Sequence, residues 1–280
     1  MHIYKIQLLN IINWEIMSKV AKRIIITLVC ILGLCSLILL NHQNGKIKLD
    51  DDQHIELVKH HGHILAYDKQ KHLHLRDVIV IKKQNRYYFN QNGYLYEVVL
   101  HHRWYSQLNQ GAPQGCEGTA LQIVASCVNR NLNLHQIYQH IGYSWHTNPN
   151  EEFYGDPFAK GTNKKSETVC ATPMTNKLKH RLPQIQDLTG ANTQKIIQEI
   201  QAGYGVVTWG NYHWKLTGHH HNMYHVMAIV GYKPGKFLIS DPYAYHKREY
   251  WLSMKRWSKV NQKMQGKGWK TPQRMNLTIH

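Results

Sequence analysis

The sequence predicts an α+β fold, a helical part followed by an antiparallel sheet, and three observations carry that expectation. First, Ala120, Leu121, Ile123, Val124, Cys127 and Val128 recur at helical spacing directly after a loop-forming stretch. Second, residues 193–202 repeat the pattern, with Ile196, Ile197 and Ile200 as an apolar stripe ending at Gly203. Third, the segments 205–209, 223–232, 236–241 and 249–252 are short runs with β character, the second and third joined only by Lys233-Pro234-Gly235. Helices first, then consecutive strands, is an α+β layout. A chain of 280 residues with 42% hydrophobic content can bury a sizeable core.

At the N-terminus, residues 24–40 form an uncharged apolar run preceded by Lys19, Lys22 and Arg23. That pattern predicts a signal anchor: 1–23 cytoplasmic, 24–40 a transmembrane helix, and the remainder outside the cell membrane. A signal peptide cleaved after export is the alternative. The formal net charge of +17, from 34 Lys+Arg against 17 Asp+Glu, favours anionic surroundings such as a membrane surface or an anionic cell wall. The basic residues are scattered rather than striped along one helix, and no nucleic-acid module is present, so nucleic acid is not an expected partner.

Residues 41–100 read as a β-rich spacer. Short runs rich in Ile, Val, Leu and Tyr are punctuated by Asp, Asn and Gly, and Asn92-Gly93 between aromatic strands is a hairpin signal. This hairpin resembles a single copy of the aromatic repeats by which Gram-positive surface proteins bind wall polymers. Such repeats stack several to a core, so a spacer packed on the main domain is the simpler reading. The main domain is expected over 101–270, with 134–141 as a second short helix and 148–170 as a loop of turn formers. Residues 271–280 read as a tail.

Cys116 stands at the start of the first helix. Unpaired backbone N–H groups and the helix dipole are expected to favour its thiolate there. A buried, inert thiol is the plainer possibility. Cys127 lies on the apolar stripe of the same helix, and Cys170 is either free or paired with it. His225 interrupts an otherwise apolar strand, 223–231, and Asp241 ends the next. If the hairpin folds about Lys233, the two fall directly opposite, with Cβ atoms about 5 Å apart on one face. An imidazole oriented by a carboxylate is the base half of a nucleophilic triad, and Cys116 can supply the nucleophile. An oxyanion donor is expected just upstream, from Gln107, Gln110 or Gln114.

Five blocks fall in order: Ser106-Gln107-Leu108-Asn109, Gly115-Cys116-Glu117-Gly118-Thr119, Asn148-Pro149-Asn150-Glu151-Glu152-Phe153-Tyr154-Gly155, His225-Val226-Met227-Ala228-Ile229-Val230-Gly231-Tyr232 and Ser240-Asp241-Pro242. Together they resemble the stand-alone branch of the thirty-ninth cysteine-peptidase family, whose transporter-fused relatives clip double-glycine leaders from bacteriocin precursors. The resemblance implies a papain-like fold, Cys116 as nucleophile, His225 as base, Asp241 as its orienter and Gln107 as the oxyanion glutamine, acting on a peptide or protein. It implies no cofactor and no metal, and no ATP-binding cassette accompanies it. A peptidoglycan hydrolase and a catalytically silent surface-binding module are the rival expectations. The run His219-His220-His221 has no cysteine or carboxylate at ligand spacing and reads as a solvated loop. Trp209, Tyr212 and Trp214 either wall a cleft or cover the core.

Overall fold

The computed structural model describes residues 47–49, 54–160, 165–216, 224–244 and 247–280. The chain divides into two compact units, Met1–Lys48 and Leu49–His280. A short strand β1 (Ile47–Leu49) opens the described residues. In the larger unit, β2 (Ile55–His60), β3 (His63–Asp68) and β4 (Leu73–His74) form a small antiparallel sheet. The strands β5 (Val78–Lys82), β6 (Asn85–Phe89) and β7 (Leu95–Val99) then form a meander. Asn90 organises the Asn-Gly turn of that meander: its Oδ1 accepts from the backbone N–H groups of Asn92 and Tyr94 at 3.0 and 3.1 Å.

The helical part follows as α1 (Cys116–Ser126), α2 (Leu134–Ile141), α3 (Ala171–Leu178) and α4 (Thr193–Gln201). Asn133 and Asn192 cap α2 and α4, each accepting a backbone N–H three residues on. Every residue of α1 is buried, which matches its almost continuous run of apolar and small side chains. Two short strands, β8 (Tyr143–Ser144) and β9 (Phe153–Tyr154), pair in the long connection between α2 and α3.

The main sheet is completed by β10 (Ile185–Asp187), β11 (Val206–Asn211), β12 (Tyr224–Lys233), β13 (Lys236–Ser240), β14 (Glu249–Ser253) and β15 (Asn276–Ile279). Its order is β5-β6-β7-β12-β11-β15-β10, with β13 also bonded to β12 and β14 to β13. The spacer hairpin therefore continues the main sheet, because Val98 and Val99 of β7 pair with Tyr232 and Gly231 of β12. Helix α1 packs against β11 and β12, and α5 (Met254–Lys263) packs against β11 and β14.

Several elements depart from the sequence reading. Strand β9 lies inside the segment expected as a loop, helix α3 begins where that segment ends, and β8, β10, α5 and β15 were not anticipated. Residues 276–279, expected in a tail, are buried throughout and hydrogen-bond to both β11 and β10. Their pairing partners lie some seventy to ninety residues earlier, so no local pattern announces them.

The single-pass membrane reading is corrected. Among the described residues no helix is long and apolar enough to cross a membrane. The run 24–40 lies outside the described residues, as does the histidine run 219–221.

Candidate active site

A chain of tight turns delivers the start of α1. Ala112 N–H donates to Gln107 O at 2.9 Å, and Gly115 N–H donates to Ala112 O at 2.8 Å. The Thr119 hydroxyl then donates to Gly115 O at 2.8 Å, fixing the first helical turn. Cys116 sits at that turn and is 8% exposed. Its sulfur meets the backbone N–H of Val226 and donates to Glu117 Oε2 at 3.3 Å.

The electrostatics differ from the sequence expectation. Burial pushes the Cys116 thiol well above its ordinary value, and the Glu117 carboxyl adds to the rise. The N–H groups of Val226 and Cys116 itself pull the other way, as the helix start predicts, but burial outweighs them. Cys127 and Cys170 are both buried and free, and burial pushes each up to about 12.

His225 is fully buried on β12, and its Nε2 lies 2.7 Å from Asp241 Oδ1. Burial alone would raise the Asp241 carboxyl. The His225 imidazole and the N–H groups of Tyr243 and Ala244, at 2.8 and 3.2 Å, outweigh it and hold the group below its usual value. An ionised Asp241 only accepts, so Nε2 carries the proton and Nδ1 is left as the acceptor. Nδ1 is buried without a hydrogen-bond partner. The Tyr212 ring stacks flat on the imidazole, with centroids 4.0 Å apart and planes within 7°, so of the three aromatics left open above, Tyr212 belongs to the site. Trp209 and Trp214 are buried and donate instead to Val169 O and the Tyr250 hydroxyl.

The register that joins His225 to Asp241 is not the one expected. The turn is Pro234-Gly235, with Lys233 opposite Lys236. An unbroken ladder from that turn would set Ala228 opposite Asp241 and send the His225 side chain to the other face. A β-bulge between Ile229 and Gly231 moves Ala228 opposite Ser240. Asp241 then continues the face on which His225 lies, diagonally rather than directly opposite. Gly231 suits the bulge because a Cβ there would come 2.8 Å from Val98 O and 2.9 Å from Leu238 Cβ.

Gln107 is buried beside this strand end. Its N–H donates to Pro242 O at 3.0 Å, its Nε2 donates to Pro113 O at 2.7 Å, and its Oε1 is buried without a partner. Gln110 is held elsewhere, exchanging amide hydrogen bonds with Gln122 of α1 at 2.9 and 3.1 Å. Gln114 lies on the same loop, its N–H donating to Pro157 O. Sequence reasoning missed Glu117. The carboxyl is fully buried, its Oε1 accepting from the Thr168 hydroxyl and, at 3.4 Å, from Val169 N–H. An acid in the first turn of a helix is ordinary, so the sequence carried no signal that set Glu117 apart.

The model of the Peptidase_C39 like family matches residues 99–268, more than half of the chain. Among solved structures, one described as a C39-like peptidase from Bacillus anthracis is similar at a TM-score of 0.55 and 19% identity, covering 66% of this chain and 97% of its own. The peptidase domain of Streptococcus ComA, described as a bifunctional ABC transporter of a quorum-sensing pathway, aligns at a TM-score of 0.38 and 13% identity, over 64% of this chain and 97% of its own. No curated protein matches the chain. The fold is similar to that of the Bacillus anthracis structure. The family match spans α1, the buried histidine strand and its aspartate, over more than half of the residues, so the chain belongs to the Peptidase_C39 like family.

Proposed function

We propose that the protein is a cysteine peptidase that hydrolyses peptide bonds through Cys116, His225 and Asp241. The observation that carries the reading is the 2.7 Å bond from His225 Nε2 to Asp241, which leaves Nδ1 buried without a partner, on the residue next to the Val226 N–H that meets the Cys116 sulfur. His225 Nδ1 takes the thiol proton, and the thiolate attacks the scissile carbonyl carbon. The Cys116 N–H and the second N–H of Gln107 Nε2 are the donors for the developing oxyanion. The intermediate collapses as the imidazolium protonates the leaving amine, giving an acyl-thioenzyme. Water then attacks that thioester with His225 as base, releasing the acid and restoring the thiol. Asp241 holds the imidazole tautomer throughout and does not itself accept the proton.

Membership of a peptidase family supports a peptide or protein substrate. The net charge of +17 also suits an anionic cell-wall substrate, whose stem peptides present the same amide bond. The test is the Cys116→Ala variant, assayed with a thiol-directed activity probe, a peptide library and purified wall. Labelling and cleavage should vanish, while Cys127→Ala and Cys170→Ala retain most of both. Cleavage surviving in Cys116→Ala would end the thiol mechanism, and a wild-type protein that neither takes up the probe nor cleaves either substrate would leave the binding-module reading in its place.

A further inference from the structure

The thiol proton in this structure points at the wrong partner for catalysis. Cys116 Sγ donates to Glu117 Oε2 at 3.3 Å, whereas His225 Nδ1 has no hydrogen-bond partner at all. Glu117 is held for this contact from its other oxygen, which takes the Thr168 hydroxyl and the Val169 N–H. The contact joins neighbouring residues at a helix start, and both side chains are buried.

Resting on the reading of Cys116 as nucleophile and His225 as base, we propose that Glu117 is a positioning residue that parks the thiol, and that its protonation releases Cys116 to His225. In the parked form the S–H bond is intact and its hydrogen is given to the carboxylate. When Glu117 takes a proton from solvent, its Oε2 no longer attracts the thiol. The sulfur then turns to Nδ1, which removes the S–H proton and leaves a thiolate–imidazolium pair, with Asp241 on the imidazolium side and no negative carboxylate beside the thiolate.

The surroundings of Glu117 suit a group that changes charge. The groups facing it are acids: Cys116 on its own helix, Tyr138 on α2, Cys170 before α3, Tyr212 after β11 and Tyr224 on β12. Thr168 and Val169 supply the neutral donors. His225 is one residue from the Val226 N–H that meets the sulfur, and it is committed to Asp241 through Nε2. Burial raises the Glu117 carboxyl above its usual range, although the Thr168 hydroxyl and the neighbouring N–H groups oppose that.

The experiment follows alkylation of Cys116 by iodoacetamide against pH, read by mass spectrometry of its peptide in the full chain. A nearby like charge disfavours a second ionisation by about one unit or more. Glu117→Gln keeps the side-chain shape and removes the charge, so the alkylation midpoint should fall by about one unit, giving about tenfold faster labelling below the midpoint. A residue that only braces the helix would leave the midpoint in place, and an unchanged midpoint overturns the proposal. Should Glu117→Gln fail to fold, Thr168→Val removes a donor that favours the ionised carboxylate. It should move the midpoint the same way by a smaller amount, and a wild-type midpoint there is equally fatal. Failure of the underlying reading is seen separately: Cys116→Ala would then still cleave peptide. Loss of cleavage in Cys116→Ala with an unmoved Glu117→Gln midpoint defeats the parking role alone.

Discussion

Gln107 and Gln110 lie three residues apart on one loop, and their amides have different fates. Gln107 is buried against Pro242, one residue from the aspartate that orients His225, with one Nε2 hydrogen given to Pro113 O and the other unassigned. Gln110 spends its amide on Gln122 and the Ser106 carbonyl. Losing an oxyanion donor costs on the order of 100- to 1,000-fold in turnover. Gln107→Ala should lose that much with its thermal unfolding little changed, and Gln110→Ala should stay within about tenfold of wild type. Steady-state kinetics on the two variants decide the matter, and the reverse ranking would transfer the role to Gln110. The polar residues that break an apolar pattern, His225 above all, were legible without a structure because a buried imidazole in a strand needs a reason. Glu117 was not, since an acid in the first turn of a helix is ordinary. Only its burial against the thiol separates it from a dipole-complementing surface residue.

At the scale of elements, the bulge in β12 decides which face His225 presents. Even spacing between His225 and Asp241 suggested a shared face, and the shared face is found, but by a different route. The real turn lies at Pro234-Gly235, which alone would have separated the pair, and the extra residue before Gly231 restores them. Bulges leave little trace in sequence, where a lone glycine within a strand is the only hint. Gly231→Ala should therefore be costly out of proportion to one methyl group. Its Cβ would press on the Val98 carbonyl and on Leu238, and overpacking of this kind costs about 1–3 kcal/mol. Denaturant unfolding should register that loss, with turnover falling further than stability because the imidazole is displaced. A variant as stable and as active as wild type would mean that β12 keeps its register without the close approach of β7.

Across the whole molecule, the site is assembled from three separated parts: the loop and start of α1, the strand β12, and the end of β13. The local elements among these were legible from periodicity, since α1, α2, α4 and strands β11 to β13 carry strong patterns of their own. What was not legible is what depends on distant partners. Strand β15 has four residues of mixed character and is a strand only because β11 and β10 flank it. Helix α5 has a mostly polar sequence whose buried face, Trp257 and Val260, is defined by the sheet it covers. The central claim is that residues from these separate segments act as one catalytic unit. Members of such a unit are strongly non-additive, because removing either leaves the other without its task. The most direct measurement is peptide turnover by Cys116→Ala, His225→Ala and the double variant, each checked for folding by circular dichroism. The account predicts that the two single variants lose nearly equal activity and that the double variant is no worse than either. Losses that multiply in the double variant, or a His225→Ala enzyme close to wild type, would contradict it.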